Sequence, residues 1–157
     1  MSRARGGALA VAVAAVVLAV DQVSKALVRE NIERGEARPL LPGVDLVNVR
    51  NPGIAFGLFS GGGVLLVLLA VVAMLVLVSV FISHADTPLA WLPAGLLLGG
   101  ALGNLVDRVR DGAVTDFIDL PRWPSFNLAD SAITIGVLAL IYVLEGPPRR
   151  RREAAHG

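Results

Sequence analysis

Cysteine is absent from the 157 residues, which excludes thiol catalysis, disulfides and cysteine metal ligands. Histidine is nearly absent: only His84 and His156 occur, and no H-E-x-x-H pattern exists, which argues strongly against a zinc protease. Charged residues make up 17% of the chain, below the quarter that is typical of soluble domains. With a net charge of +1, nothing indicates a nucleic-acid partner.

Apolar residues are abundant instead, at 55%, and they are bunched into four long runs. Each run is near the roughly 20 residues that cross a bilayer, and a lipid-exposed backbone must be helical to satisfy its hydrogen bonds. The runs therefore predict an α-helical integral membrane protein, a single membrane domain over residues 1–157. Its four transmembrane helices are predicted at residues 8–28, 64–82, 91–108 and 128–145.

The first run has an alternative interpretation as a cleaved signal peptide, since Arg3 and Arg5 precede it. A signal peptide has an apolar stretch of only about 7–15 residues, and this run is longer, which favours a membrane span.

Four spans place both termini on one side of the membrane and the connections 29–63 and 109–127 on the other. The Lys/Arg count is nearly balanced, and the dense terminal arginines at 149–152 favour cytoplasmic termini. In the first extracytoplasmic loop, "VDLVNV" lies between Gly/Pro clusters and predicts a small β-rich region. The basic tail, 147–157, is predicted to be disordered.

Ionisable residues within a span are costly and usually face protein or water. Asp21 and Lys25 lie four residues apart on one helical face, which fits either an interfacial ion pair or a functional pair. Ser24 adjoins Lys25, but adjacent helical side chains diverge by about 100°, which disfavours a serine–lysine catalytic dyad.

The end of the third span carries a second polar group. Asn104, Asp107 and Arg108 share one helical face, which favours a structural ion-pair network over direct chemistry. Upstream, glycines recur every four residues and predict close helix packing: Gly95, Gly99 and Gly103.

Two further aspartates have ordinary structural explanations when taken singly. Asn127 and Asp130 suit the N-cap and first turn of the fourth span, and Asp116 suits a turn or short strand. All of them, however, fall at the same membrane face as the polar groups above. Two adjacent carboxylates cannot both ionise easily, so one can donate a proton while the other accepts one. That combination serves peptide hydrolysis.

Four sequence blocks resemble one known family. They are "DQVSK" (21–25), "NPGIAFG" (51–57), "GGALGNLVDRVRDGAVTDFI" (99–118) and "FNLAD" (126–130). Together, and in this order, they resemble lipoprotein signal peptidase (signal peptidase II), an intramembrane aspartyl protease of bacteria.

The resemblance implies that Asp116 and Asp130 are the catalytic dyad and that no metal or cofactor is used. It implies substrate-binding or supporting roles for a further set: Asp21, Lys25, Asn51, Gly53, Asn104, Asp107, Arg108 and Asn127. Asp111 and Asp119 match no functional position and are assigned to a turn and to the surface.

The resemblance also implies the substrate, a prolipoprotein whose cysteine carries diacylglycerol, cut just before that cysteine. It implies a multi-pass enzyme of the bacterial cytoplasmic (inner) membrane, with its site near the extracytoplasmic face. Membrane lipid and cyclic peptide inhibitors such as globomycin are the other expected partners, and a monomer is expected. Pro52, Ile54 and the short segment 118–126 depart from the family pattern.

Three other classes compete with this reading. A small transporter or proton conductor would carry charges near mid-membrane and inverted repeats, whereas these acids cluster at one end of the spans. A metal scaffold built from Asp107, Asp116 and Asp130, and a structural helix bundle with polar caps, are the others.

Overall fold

A computed structural model describes residues 2–53, 62–84 and 86–145 of the chain. Along these residues lie four helices and four strands, in the order α1, β1, β2, α2, α3, β3, β4 and α4. The helices are α1 (Arg3–Asn31), α2 (Gly62–Ser83), α3 (Trp91–Asp111) and α4 (Leu128–Glu145). The strands are β1 (Ala37–Leu41), β2 (Val44–Asn51), β3 (Val114–Leu120) and β4 (Trp123–Phe126).

All four predicted apolar runs are helical; α1, α2 and α3 extend beyond the predicted bounds, and α4 matches them. The Ser2 hydroxyl caps α1 by accepting a hydrogen bond from the Arg5 amide at 3.3 Å. Helix α3 continues to Asp111 and stops where Gly112 adopts a left-handed φ of 70°. The predicted disordered tail, 147–157, lies outside the described residues.

Two of the described helices are long and apolar enough to cross a membrane: α1, with a mean hydropathy of 2.0, and α4, with 1.8. Helix α2 contains a shorter apolar stretch, Val67–Ser83.

Helix α3 lies between α1 and α4 and packs most extensively against these two. The packing depends on glycine, as the spacing predicted. A Cβ atom added at Gly99 would lie 2.7 Å from the Ala14 carbonyl oxygen of α1. On the other side of α3, a Cβ at Gly100 would lie 2.5 Å from the Ala129 carbonyl oxygen of α4. Backbone contact on both sides brings the polar ends of three helices together.

The strands form one antiparallel sheet in the order β1-β2-β3-β4. The strand prediction within the first loop is confirmed by β1 and β2. The second connection, however, also forms strands, and pairing of β2 with β3 unites the two loops in one sheet. Asp119, assigned from the sequence to turn and surface, therefore lies in strand β3 and is half-buried. Long-range pairing of this kind leaves little local signal, because the two strands are far apart in the sequence.

A small apolar core fixes the sheet against the end of α1. Val28 of α1, Ile32 directly after α1 and Phe117 of β3 are buried together. Partly buried side chains surround them: Leu46, Ile118 and Leu128. This core holds β3, and Asp116 within it, beside the ends of α1 and α4.

Candidate active site

Lys25 is the centre of a buried polar cluster. Its Nζ lies 2.8 Å from Asp21 Oδ2 and 3.1 Å from Asp107 Oδ2, and it donates to Asn104 Oδ1 at 3.0 Å. The side chains of Lys25 and Asp21 are fully buried, and Asp107 is almost so. A buried ammonium is tolerated only when its partners replace the lost water, and here two carboxylates and an amide do so.

Asp107 connects α1, α3 and the sheet. Its Oδ1 accepts a hydrogen bond from Gln22 Nε2 at 3.0 Å, and its Oδ2 accepts one from the Thr115 amide at 3.1 Å. The same Gln22 amide donates to the Gly103 carbonyl at 3.1 Å. The Asp107 carboxylate is therefore satisfied on both oxygens, and it positions the residue next to Asp116.

Sequence reasoning did not select Gln22 or Thr115 as members of this cluster. For Gln22 a signal existed, because it is a polar residue beside Asp21, three positions before Lys25 on the same helix. For Thr115 the only signal was its place next to Asp116, since its contact with Asp107 uses the backbone.

The N-terminus of α4 is capped twice. Asn127 Oδ1 accepts from the Asp130 amide at 3.0 Å, and Asp130 Oδ2 accepts from the Asn127 amide at 3.2 Å. This reciprocal pair confirms the predicted N-cap. Asp21 Oδ1 accepts from the Ala129 amide at 2.9 Å, so a carboxylate from α1 satisfies another free donor of α4.

Asp116 is buried in β3 and receives two amide hydrogen bonds. Asn127 Nδ2 donates to its Oδ1 at 2.7 Å, and Asn51 Nδ2 donates to its Oδ2 at 2.9 Å. Asn51 is held in turn by the Gly53 amide, which donates to its Oδ1 at 2.9 Å. Burial raises the pKa of Asp116, and the charge of Asp130 adds to this rise, against the opposing effect of the two amide donors.

The carboxylates of Asp116 and Asp130 are linked through Asn127, whose side chain donates to Asp116 Oδ1 and whose backbone amide donates to Asp130 Oδ2. Asn104 Nδ2 also donates to Asp130 Oδ1 at 2.8 Å, and its own Oδ1 accepts from Lys25. Asp130 is half-buried, whereas Asp116 is buried. The site thus holds two carboxylates in unlike surroundings, an arrangement suited to one acid and one base.

The remaining predicted residues lie at the margin or outside the cluster. Arg108 Nη1 donates to the Asn104 carbonyl at 3.3 Å, and its buried Nε has no partner among the described residues. Asp111 ends α3, and Asp119 accepts from the Ser125 hydroxyl at 2.7 Å, so neither joins the site. Within the described ranges, no group of three or more acidic or histidine side chains could hold a metal ion.

Comparison with solved structures gives the class of protein. The chain superposes on a bacterial membrane enzyme determined by the in meso method at 1.9 Å, with a TM-score of 0.81 and 34% identity. The match covers 86% of this chain and 91% of that one. A second bacterial membrane enzyme, determined at 2.3 Å, gives a TM-score of 0.80 at 32% identity, with 94% of each chain covered. The fold is that of a helical membrane enzyme.

Sequence comparison gives the family. The sequence model of the signal peptidase (SPase) II family matches residues 13–145. A lipoprotein signal peptidase of Moorella thermoacetica is 46% identical over 133 residues, which cover 83% of this chain and 89% of the relative. One from Syntrophomonas wolfei is 45% identical over 141 residues, covering 88% and 95%. The chain belongs to the signal peptidase II family, and is therefore a peptidase of a membrane-enzyme family.

The buried cluster predicts a large difference between two neighbouring aspartates of α3. Asp107→Ala removes the acceptor of the Thr115 amide and one of the two carboxylates of Lys25. Breaking a buried ion pair costs about 3–5 kcal/mol. Asp111→Ala, at the helix end, is the matched control and should change stability by less than about 0.5 kcal/mol. Melting temperatures in one detergent measure both, and equal losses would contradict this assignment.

Proposed function

We propose that this chain removes signal peptides from diacylglyceryl-modified prolipoproteins by hydrolysing the peptide bond before the lipidated cysteine. Asp116 and Asp130 act as its catalytic pair. The observation that carries the proposal is the hydrogen-bonded unit Asp116–Asn127–Asp130 in a member of the signal peptidase II family. The relatives named above as lipoprotein signal peptidases support the substrate class.

The chemistry requires one proton shared by the pair. The ionised carboxylate takes a proton from a water molecule, whose oxygen attacks the scissile carbonyl carbon. The protonated carboxyl donates its proton to the carbonyl oxygen, and a tetrahedral intermediate forms. When the C–N bond breaks, the carboxyl that took a proton from water gives one to the leaving nitrogen. A hydroxyl of the intermediate gives its proton to the other carboxylate as the product carboxyl group forms. The pair is thereby restored without a metal or cofactor.

The surrounding residues serve this pair by position. Asn127 fixes the two carboxylates relative to each other, and Asn104 orients Asp130. The Asn51–Gly53 turn orients Asp116 from the side of β2. Behind them, three charged residues keep α1, α3 and α4 in place: Asp21, Lys25 and Asp107. Arg108 supports the backbone of Asn104.

All four helices cross the membrane in this proposal, as one domain. At 1.5 Å per residue α4, the shortest, is about 27 Å long, close to a hydrocarbon core of about 30 Å, and α1, at about 43 Å, extends beyond the core into the headgroup layer. The polar cluster then lies at the end of the spans where the sheet forms. With the termini in the cytoplasm, this is the extracytoplasmic face of a bacterial cytoplasmic membrane.

An apolar groove beside Asp130 suits a lipidated substrate. It has a volume of about 450 Å³ and is lined chiefly by apolar side chains of β3, β4 and α4, among them Leu120, Trp123, Phe126 and Ile135. The groove supports binding of an acyl chain next to the scissile bond, and of an apolar cyclic peptide such as globomycin as an inhibitor. Three apolar residues of the first loop, Phe56, Leu58 and Phe59, lie outside the described residues.

The catalytic assignment predicts that Asp116→Asn and Asp130→Asn each lower cleavage by at least a thousandfold. The amide keeps the shape of the side chain but cannot exchange the proton. Asp119→Asn, in the same strand as Asp116, is the control and should retain near-native turnover. Cleavage of a diacylated prolipoprotein, with folding checked by melting, measures all three. Near-native turnover in either dyad variant would refute that residue's role.

The shared proton predicts a bell-shaped dependence of cleavage on pH. In acid both carboxyls are protonated and no base remains, and in alkali both are ionised and no acid remains. Because burial raises the pKa of Asp116, the alkaline limb should lie above the usual aspartate range. The same rise means that its contribution to stability is present at low pH and is lost as pH rises through that pKa. Single-turnover cleavage rates measured across the pH range test the bell-shaped dependence, and a rate that does not change with pH would exclude the shared-proton mechanism.

The lipid requirement predicts that diacylated precursor is cleaved at least a hundredfold faster than the same peptide with an unmodified cysteine. A signal-peptide helix shifts by about 1.5 Å per residue along the membrane normal. Misplacement by about 1 Å can cost a hundredfold in rate, and acyl chains fix the depth. Competition between the two peptides in one detergent measures the preference. Equal cleavage would leave only a general intramembrane protease.

A further inference from the structure

A second polar cavity lies on the opposite face of the sheet from Asp116. Successive side chains of a strand point to opposite faces, so Thr115 faces away from Asp116. Arg50 pairs with Thr115 across β2 and β3 and shares that face. The cavity has a volume of about 80 Å³ and is called the arginine pocket below. Its lining is Arg29, Arg34, Asn48, Arg50, Asp111 and Thr115.

The arginine pocket holds three positive charges and one negative charge. Within residues 2–53, 62–84 and 86–145, none of its three arginines forms a salt bridge. Arg29 donates to the Thr115 hydroxyl at 3.1 Å, and Arg50 donates to the backbone carbonyl of Asp111. The Asp111 carboxylate itself lies 3.8 Å from Arg110. Three guanidinium groups thus converge with most of their donors uncommitted to a carboxylate.

The two neutral lining residues, Asn48 and Thr115, add no negative charge to the pocket. Asn48 uses its Nδ2 to donate to the Ile32 carbonyl at 2.8 Å, which holds it in place beside the end of α1. A cavity of about 80 Å³ exceeds twice the roughly 30 Å³ that one water occupies in the liquid, which leaves room for a small tetrahedral oxyanion. Planar guanidinium groups bind phosphate oxygens in pairs, with charge-assisted hydrogen bonds.

The depth of the pocket indicates where such a phosphate comes from. Helix α1 has 29 residues and is about 43 Å long, which matches the roughly 40–45 Å of a bilayer including its headgroups. Arg29 lies in the last turn of α1, and so in the headgroup layer, if α1 crosses the membrane. Phospholipid phosphates are concentrated in that layer.

We propose that the arginine pocket binds the phosphate group of an anionic phospholipid. This site is separate from the proposed peptidase reaction and shares with it only the placement of α1 across the membrane. It is nevertheless linked to the dyad, because Thr115 contacts Arg29 through its hydroxyl and Asp107 through its amide. A bound phosphate would offset part of the positive charge of the pocket and so stabilise the strand that carries Asp116.

The test uses the full chain in detergent and follows its melting temperature as short-chain phosphatidylglycerol is added. We expect saturable stabilisation, with a half-saturating concentration at least tenfold higher in the Arg34→Gln/Arg50→Gln double variant. Arg38→Gln, an arginine of β1 that pairs with Glu36 outside the pocket, is the control and should match the unaltered chain. Parallel titrations use short-chain phosphatidylcholine and inorganic phosphate.

Three results would overturn the proposal: equal phosphatidylglycerol affinity in the double variant, equal stabilisation by phosphatidylcholine, or inorganic phosphate acting at the same concentration. The last would mean a site for a free anion. If the double variant fails to fold, Arg34→Gln alone is used, because Arg34 makes no hydrogen bond within the described residues. If the unaltered chain is stabilised by phosphatidylglycerol as expected but does not cleave prolipoprotein, that result counts against the peptidase proposal only.

Discussion

The buried ammonium of Lys25 is the interaction on which the rest of the structure depends. One positive charge, removed from water, holds a carboxylate of its own helix and, through Asp107, a carboxylate of α3. Neither carboxylate ends there, because Asp21 also caps α4 and Asp107 also holds the backbone of β3. Three helices and the sheet are therefore held at one point. Isolated buried charges are costly, so this cluster is stable only when every partner is present.

The helix packing and the polar cluster explain each other. Helix α3 carries glycine where it meets α1 and α4, and a Cβ at Gly103 would lie 2.5 Å from Asp21 Oδ2. The close approach that these glycines allow brings Gln22, Lys25 and Asp107 within hydrogen-bonding distance. In return, the charged network resists sliding of the helices past one another. Apolar contacts between helices surrounded by lipid resist such sliding only weakly. The catalytic pair proposed here is thus positioned by groups that do not themselves take part in the reaction.

Much of this organisation could be predicted from sequence, for reasons that differ between residues. Apolar runs locate helices because a backbone in lipid must form its hydrogen bonds internally. The Asn127–Asp130 cap follows from a local sequence pattern. The resemblance of four blocks brought the separate acids into one site. The union of two loops in one sheet could not be predicted, because pairing of β2 with β3 joins residues such as Asn51 and Val114 that are distant in sequence. The contact of the Thr115 amide with Asp107 was equally hidden, since a backbone donor has no identity in the sequence.

The cap that Asp21 provides for α4 also has a consequence for biogenesis. Asp21 lies in the first helix and Ala129 in the last, 108 residues apart in the chain. During synthesis the Lys25 cluster can begin to form once α3 is made, but Asp21 keeps one oxygen without its amide partner until α4 follows. The proposed dyad is completed at the same moment, because Asp130 belongs to that last helix. In the four-span arrangement proposed above, a growing chain would therefore complete the proposed dyad only as its final helix enters the membrane.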